Sequence, residues 1–181
     1  MDFPSPDPLR YPIGKFHPPD SITREIQDAW ISELEGLPAR LSALVLPLDG
    51  HILETPYRPG GWTVRQVVHH LADSHHNSYM RFKWALTEDV PLIKVYDEKA
   101  WAALPDATQG PISLSLFHLE AVHSRLVYLL RELDAGQLLR RFRHPESGET
   151  TLLENIGRYA WHGNHHYAHI DNLLLSRGWK S

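Results

Sequence analysis

Histidine is the residue type best placed to do chemistry in this sequence, with 13 in a chain of 181 residues. Eight of them fall into two groups: His69, His70, His75 and His76, then His162, His165, His166 and His169. A neutral imidazole nitrogen is a good ligand for zinc, nickel, copper and iron. Residues four apart on a helix lie one turn above each other, so two imidazoles at that spacing reach one ion from one face. His162/His166 and His165/His169 both have this spacing. Zinc takes three or four nitrogen or oxygen ligands, and a catalytic ion keeps a position for water. Two histidines from one helix and one from another are therefore a sufficient set. The chain has no Cys, which excludes thiolate ligands, disulfides and a cysteine nucleophile.

The elements that must position these residues are legible in the apolar periodicity. Six of the 14 prolines precede residue 20, which predicts an extended arm over residues 1–19. From Asp20 or Ser21, either able to cap, Ile22, Ile26, Trp30, Leu34, Leu37, Leu41 and Leu44 recur at helical spacing. Pro38 lies inside this first helix and predicts a kink or a restart, because it removes one ladder hydrogen bond. Thr63 and Gln66 have capping-box spacing and Trp62 and Val67 that of a hydrophobic staple, opening a second helix that runs to about Leu86. Residues 88–111 read as a long link with one short helical turn near Asp97 to Ala103, and links of that length are often functional.

A third helix follows Ser113 on the seam Leu116, Leu119, His123, Leu126, Leu130 and Leu133. Thr151 and Glu154 form a second capping box, opening a fourth helix to about Arg177, ahead of Gly178. No stretch alternates with period two for long enough to predict a strand. The expectation is an all-α four-helix bundle with long connecting loops, a single domain over residues 20–181.

Helical phase ranks the histidines. Against the apolar face of Leu152, Ile156 and Ile170, His166 and His162 lie nearest the interior. His169 and His165 turn further away, toward solvent, an interface or the rim of a site. In the second helix His75 shares the apolar face with Val64, Val68, Leu71 and Phe82, and His70 sits to its side, so phase alone favours His75 as third ligand. His123, on the leucine seam, reads as a satisfied core group or as a group behind a ligand. Asp73, one turn after His70, is the nearest carboxylate on that helix. His17, His51, His118 and His144 have no metal spacing and read as ordinary surface or hydrogen-bonded residues.

Four segments, YPIG (Tyr11 to Gly14), TPYRPGGWTVRQVVHHLADSH (Thr55 to His75), YDEKAW (Tyr96 to Trp101) and WHGNHHYAHI (Trp161 to Ile170), resemble the DinB-like superfamily. Within it they resemble the YfiT branch of metal-dependent hydrolases. The resemblance implies a four-helix bundle, a homodimer, and one divalent ion per chain, zinc first and nickel second, held by three histidines. Carried over by position, the second His of HHLAD is His70, and the two of WHxxxH are His162 and His166. The resemblance thus puts His70 where helical phase puts His75. It implies a hydrolase whose ion activates water in a pocket between the helices. The wider superfamily adds thiol S-transferases of the bacillithiol type, and a non-catalytic metal-binding module is a third reading. No catalytic acid or base carries over.

Lys and Arg number 18 against 22 Asp and Glu, a net charge of −4, so no overall positive field exists to hold nucleic acid. The segment MDFPSPDPLRYPIG has neither a basic region nor an apolar core of the signal-peptide kind, and no later stretch is apolar enough to span a bilayer. The expectation is a soluble cytoplasmic protein acting on a small molecule.

Overall fold

The two capping boxes start the two helices that carry the clustered histidines. In this computed structural model, which describes residues 7–180, Thr63 Oγ1 accepts from Gln66 N–H at 3.2 Å and Gln66 Oε1 from Thr63 N–H at 2.9 Å. Thr151 and Glu154 make the same reciprocal pair at 3.1 and 3.0 Å. The helices they open are α3 (Val64–Thr87) and α8 (Leu152–Ser176). Gly178 follows α8 at φ +66, the left-handed conformation that glycine adopts without a Cβ penalty.

The order of elements is α1 (Arg24–Val45), α2 (Gly50–Leu53), α3, α4 (Glu98–Ala102), α5 (Pro105–Gln109), α6 (Ile112–Glu132), α7 (Ala135–Leu138), β1 (Arg141–His144), β2 (Gly148–Thr151) and α8. The long helices α1, α3, α6 and α8 form the four-helix bundle: α1 packs beside α6 and α8, and so does α3. Several details differ from the sequence expectation: the short helices α2, α5 and α7 add to the one turn expected in the link, and α1 runs through Pro38 without a restart. Helix α1 begins after Thr23, whose hydroxyl accepts from Ile26 N–H, so Asp20 and Ser21 remain in the exposed approach to the helix. A hairpin also precedes α8, pairing Phe142 with Thr150 and Arg143 with Glu149. Its strands are four residues each, too short for period two to register in the sequence. The link joins this hairpin, since Arg143 N–H donates to Pro91 O and Ile93 N–H to Arg143 O. Asp97 caps α4, and Gln66 Nε2 donates to Ala102 O at 2.7 Å, fastening the link over the start of α3.

Two apolar clusters fill the bundle. One gathers Leu34, Phe82, Leu126, Phe142 and Ile156, and the other Leu41, Leu71, Leu119, Ile170 and Leu174. Polar side chains are buried in the bundle as well: His75 and Ser78 from α3, His123 from α6, and Asn155 from α8. Asn155 Nδ2 donates to Ser78 Oγ at 3.2 Å. Helix α8 approaches α1 closely because it has glycines there. A Cβ on Gly157 would lie 2.7 Å from the Trp30 ring, and one on Gly163 would collide with the Leu37 side chain. Among the described residues, no helix is long and apolar enough to cross a membrane.

Candidate metal centre

Helices α3 and α8 bring His70, His162 and His166 together, with one ring nitrogen of each within 4.8 Å of the others. His70 Nε2 lies 3.4 Å from His162 Nε2. Two nitrogens bound to a tetrahedral zinc at about 2.0–2.1 Å would stand about 3.3 Å apart, so the spacing fits an ion between them. Burial keeps the rings in the neutral, ligating form. It pushes His70 down to about 4, and holds His162 and His166 well below the ordinary histidine value, neighbouring imidazoles adding to the effect. The Trp62 ring lies 4.6 Å from that of His70, so the N-terminal staple of α3 also walls this site.

Helical phase is right about where His75 points, since it is fully buried, but His75 is not in the group. Both its nitrogens are occupied: Nε2 lies 3.2 Å from His162 Nδ1, and Nδ1 lies 2.8 Å from His123 Nε2. His123 Nδ1 in turn meets the Leu34 carbonyl oxygen. His70, on the flank of α3, turns toward α8 at the site that the resemblance indicates. The remaining histidines of that helix face elsewhere, His69 to Ser115 and Gly110, and His76 to His118.

The second pair of α8 takes the last of the three places expected for it, the rim of the site, since both residues line the same cavity as His70, His162 and His166. His165 and His169 are buried, not turned to solvent, because aromatic rings cover them. Tyr57 lies 4.0 Å from His169, and Trp161 4.7 Å from His165. With His166 they make a second group within 4.8 Å, carried by one helix alone. Their Nε2 atoms, 3.0 Å apart, bond to each other.

Both groups open on a cavity of about 590 Å³, which Glu98 and Lys99 of α4, Arg58 and Arg10 also line. A second cavity of about 790 Å³ shares His162, Trp161, Glu98 and Lys99 with it. Asp73 lines neither. Burial and the nearby Asp106 push its carboxyl up to about 6 on another side of α3. Glu98, an exposed carboxylate that lines the same cavity as the histidines, is not singled out by spacing because it comes from the link; its signal is the length of that link. Two aromatic residues of the arm rest on the body of the same chain, Tyr11 near His165 and Phe16 at 6.3 Å from Trp161, while most of the arm's described residues are exposed. The arm's first six residues lie outside those described.

A Bacillus mycoides protein provisionally named a metal-dependent hydrolase is 54% identical over 171 residues, covering 94% of this chain and 98% of its own. A Bacillus cereus protein of the same provisional name matches equally, at 54%. Among solved structures, YfiT from Bacillus subtilis, described as a probable metal-dependent hydrolase with an unusual four-helix bundle topology, superposes at a TM-score of 0.94. It is 50% identical and covers 96% of this chain and 100% of its own. A second four-helix bundle protein, TT2238, shares the fold at a TM-score of 0.57 and 22% identity, covering 82% of this chain and 98% of its own. The model of the DinB superfamily matches residues 33–170, and with the bundle, the histidine group and these relatives in agreement, the chain belongs to the DinB superfamily.

Proposed function

We propose that the protein is a metal-dependent hydrolase in which His70, His162 and His166 hold one divalent ion, zinc or nickel, at the floor of the 590 Å³ cavity. The observation that carries this is the convergence of three neutral imidazoles from two helices on one point beside that cavity. Such an ion supplies Lewis acidity, which polarises a carbonyl and acidifies water near neutral pH. The chain's own groups supply the rest. Arg10, Arg58 and Lys99 face the cavity against one carboxylate, Glu98, a balance that draws in a small anionic substrate. Glu98 is the group to accept a proton from attacking water and return it to the leaving group. Trp62 and Tyr57, packed on His70 and His169, narrow the access of bulk water to the imidazoles.

A second reading, a thiol S-transferase of the bacillithiol type, draws on the two cavities that meet at His162, since such a reaction needs room for a thiol and an electrophile together. The test is a panel of small carboxylate-bearing esters and amides, offered to zinc-loaded protein with and without a low-molecular-weight thiol. Turnover without thiol that falls at least 100-fold in Glu98→Gln is the expected result. Turnover only with thiol would select the transferase, and none in either arm, with metal bound, would leave a metal-binding module. Because the chain has no Cys, no protein thiol confuses the assay.

A further inference from the structure

A chain of hydrogen bonds leads to His162, and it rests on the proposed function only for His162 being a ligand. It begins in α1. A helical N–H donates to the carbonyl four residues earlier, so Pro38, which has no N–H, leaves the carbonyl of Leu34 without its helix donor. His123 Nδ1 fills that vacancy from α6. A carbonyl oxygen only accepts, so His123 must carry its proton on Nδ1 and present a bare lone pair at Nε2. The next atom, His75 Nδ1 at 2.8 Å, must then be the donor, which leaves His75 Nε2 bare. That nitrogen lies 3.2 Å from His162 Nδ1, which must donate in its turn. The last lone pair in the chain therefore belongs to His162 Nε2, the atom 3.4 Å from His70 Nε2.

We propose that Pro38, Leu34, His123 and His75 form a tautomer relay, in which one freed backbone carbonyl sets the proton positions of three imidazoles and holds His162 ready to ligate through Nε2. His123 and His75 are positioning residues: neither belongs to the ligand group, and they act through His162. The chain of bonds explains two sequence oddities together, a proline inside a long helix and a histidine on a leucine seam. It also explains why both nitrogens of His75, the buried histidine favoured by phase, are unavailable to an ion.

The experiment is long-range nitrogen–proton NMR on metal-free protein labelled at histidine nitrogens, with zinc affinity measured in parallel. The expected spectrum shows His123, His75 and His162 each protonated at Nδ1. In His123→Phe the His162 signal should shift to a mixture of tautomers, and zinc should bind about 10- to 100-fold more weakly, the usual cost of losing a group that orients a metal-ligating histidine. A fold control is built in, since retained amide dispersion in His123→Phe separates lost orientation from lost structure. If that variant does not fold, the wild-type spectrum alone decides. His162 protonated at Nε2 in the wild type, or tautomer and affinity both unchanged in a folded His123→Phe, would overturn the relay. If wild-type protein binds no zinc but shows the three Nδ1 protons, the ligand reading fails and the relay stands.

Discussion

At the scale of single residues, the chemistry follows from imidazoles that touch one another away from water. Burial pushes His70 and His123 to about 4, whereas in the unfolded chain each has the ordinary value of 6.5. Between those values the unfolded chain binds more protons than the folded one, so stability is full above about 6.5 and is lost as pH falls toward 4. Each such group contributes about 1.4 kcal/mol per pH unit inside the window. The urea midpoint of metal-free protein should therefore be level from pH 8 to 7 and fall between pH 6 and 5. A midpoint unchanged from pH 7 to 5 would show that these rings are charged in the fold. The same scale shows what sequence could and could not say. Helical phase reports the direction of a side chain from its helix, and on that it was right for His75, His162 and His166. It does not report which neighbour takes the ring nitrogens, and that is why His75, though central, stands behind His162 while His70, on the flank, reaches the group.

At the scale of elements, capping boxes and glycines decide how closely α8 can serve its neighbours. Both capping boxes were legible because they are local, a hydroxyl and a carboxylate or amide three residues apart. The hairpin and the docking of α4 were not, because they depend on long-range pairings such as Ile93 with Arg143 and Gln66 with Ala102. Gly163 is likewise unremarkable in sequence, yet it admits Leu37 of α1 and sits 3.5 Å from His75 Cε1 as measured from an added Cβ. Gly163→Ala would gain about 0.5–1 kcal/mol of helix propensity. Forcing a methyl into packed Leu37 costs about 1–3 kcal/mol, so the overpacking wins. Urea unfolding should show a net loss of about 1–2 kcal/mol, with weaker zinc binding as His75 shifts. A variant more stable than wild type would mean that α1 yields without cost.

At the scale of the whole molecule, two apolar clusters fill the core with His75 and His123 buried in it, and the proposed ion lies between α3 and α8 beside His162, which His75 adjoins. The bundle itself was legible, since four long amphipathic helices have few other ways to bury their faces. The site was legible in its residues but not in its surroundings, because the cavity is shaped by the link and the arm, which have no periodicity to read. The α8 group of His165, His166 and His169 competes with the set that spans two helices, since His166 belongs to both. The decisive measurement is zinc bound per chain by equilibrium dialysis of tag-free, chelator-stripped protein. One ion per chain in the wild type and in His165→Ala, with near none in His70→Ala, is the result expected if the ion joins α3 to α8. Full binding retained in His70→Ala and lost in His165→Ala would contradict the account and place the ion on α8 alone.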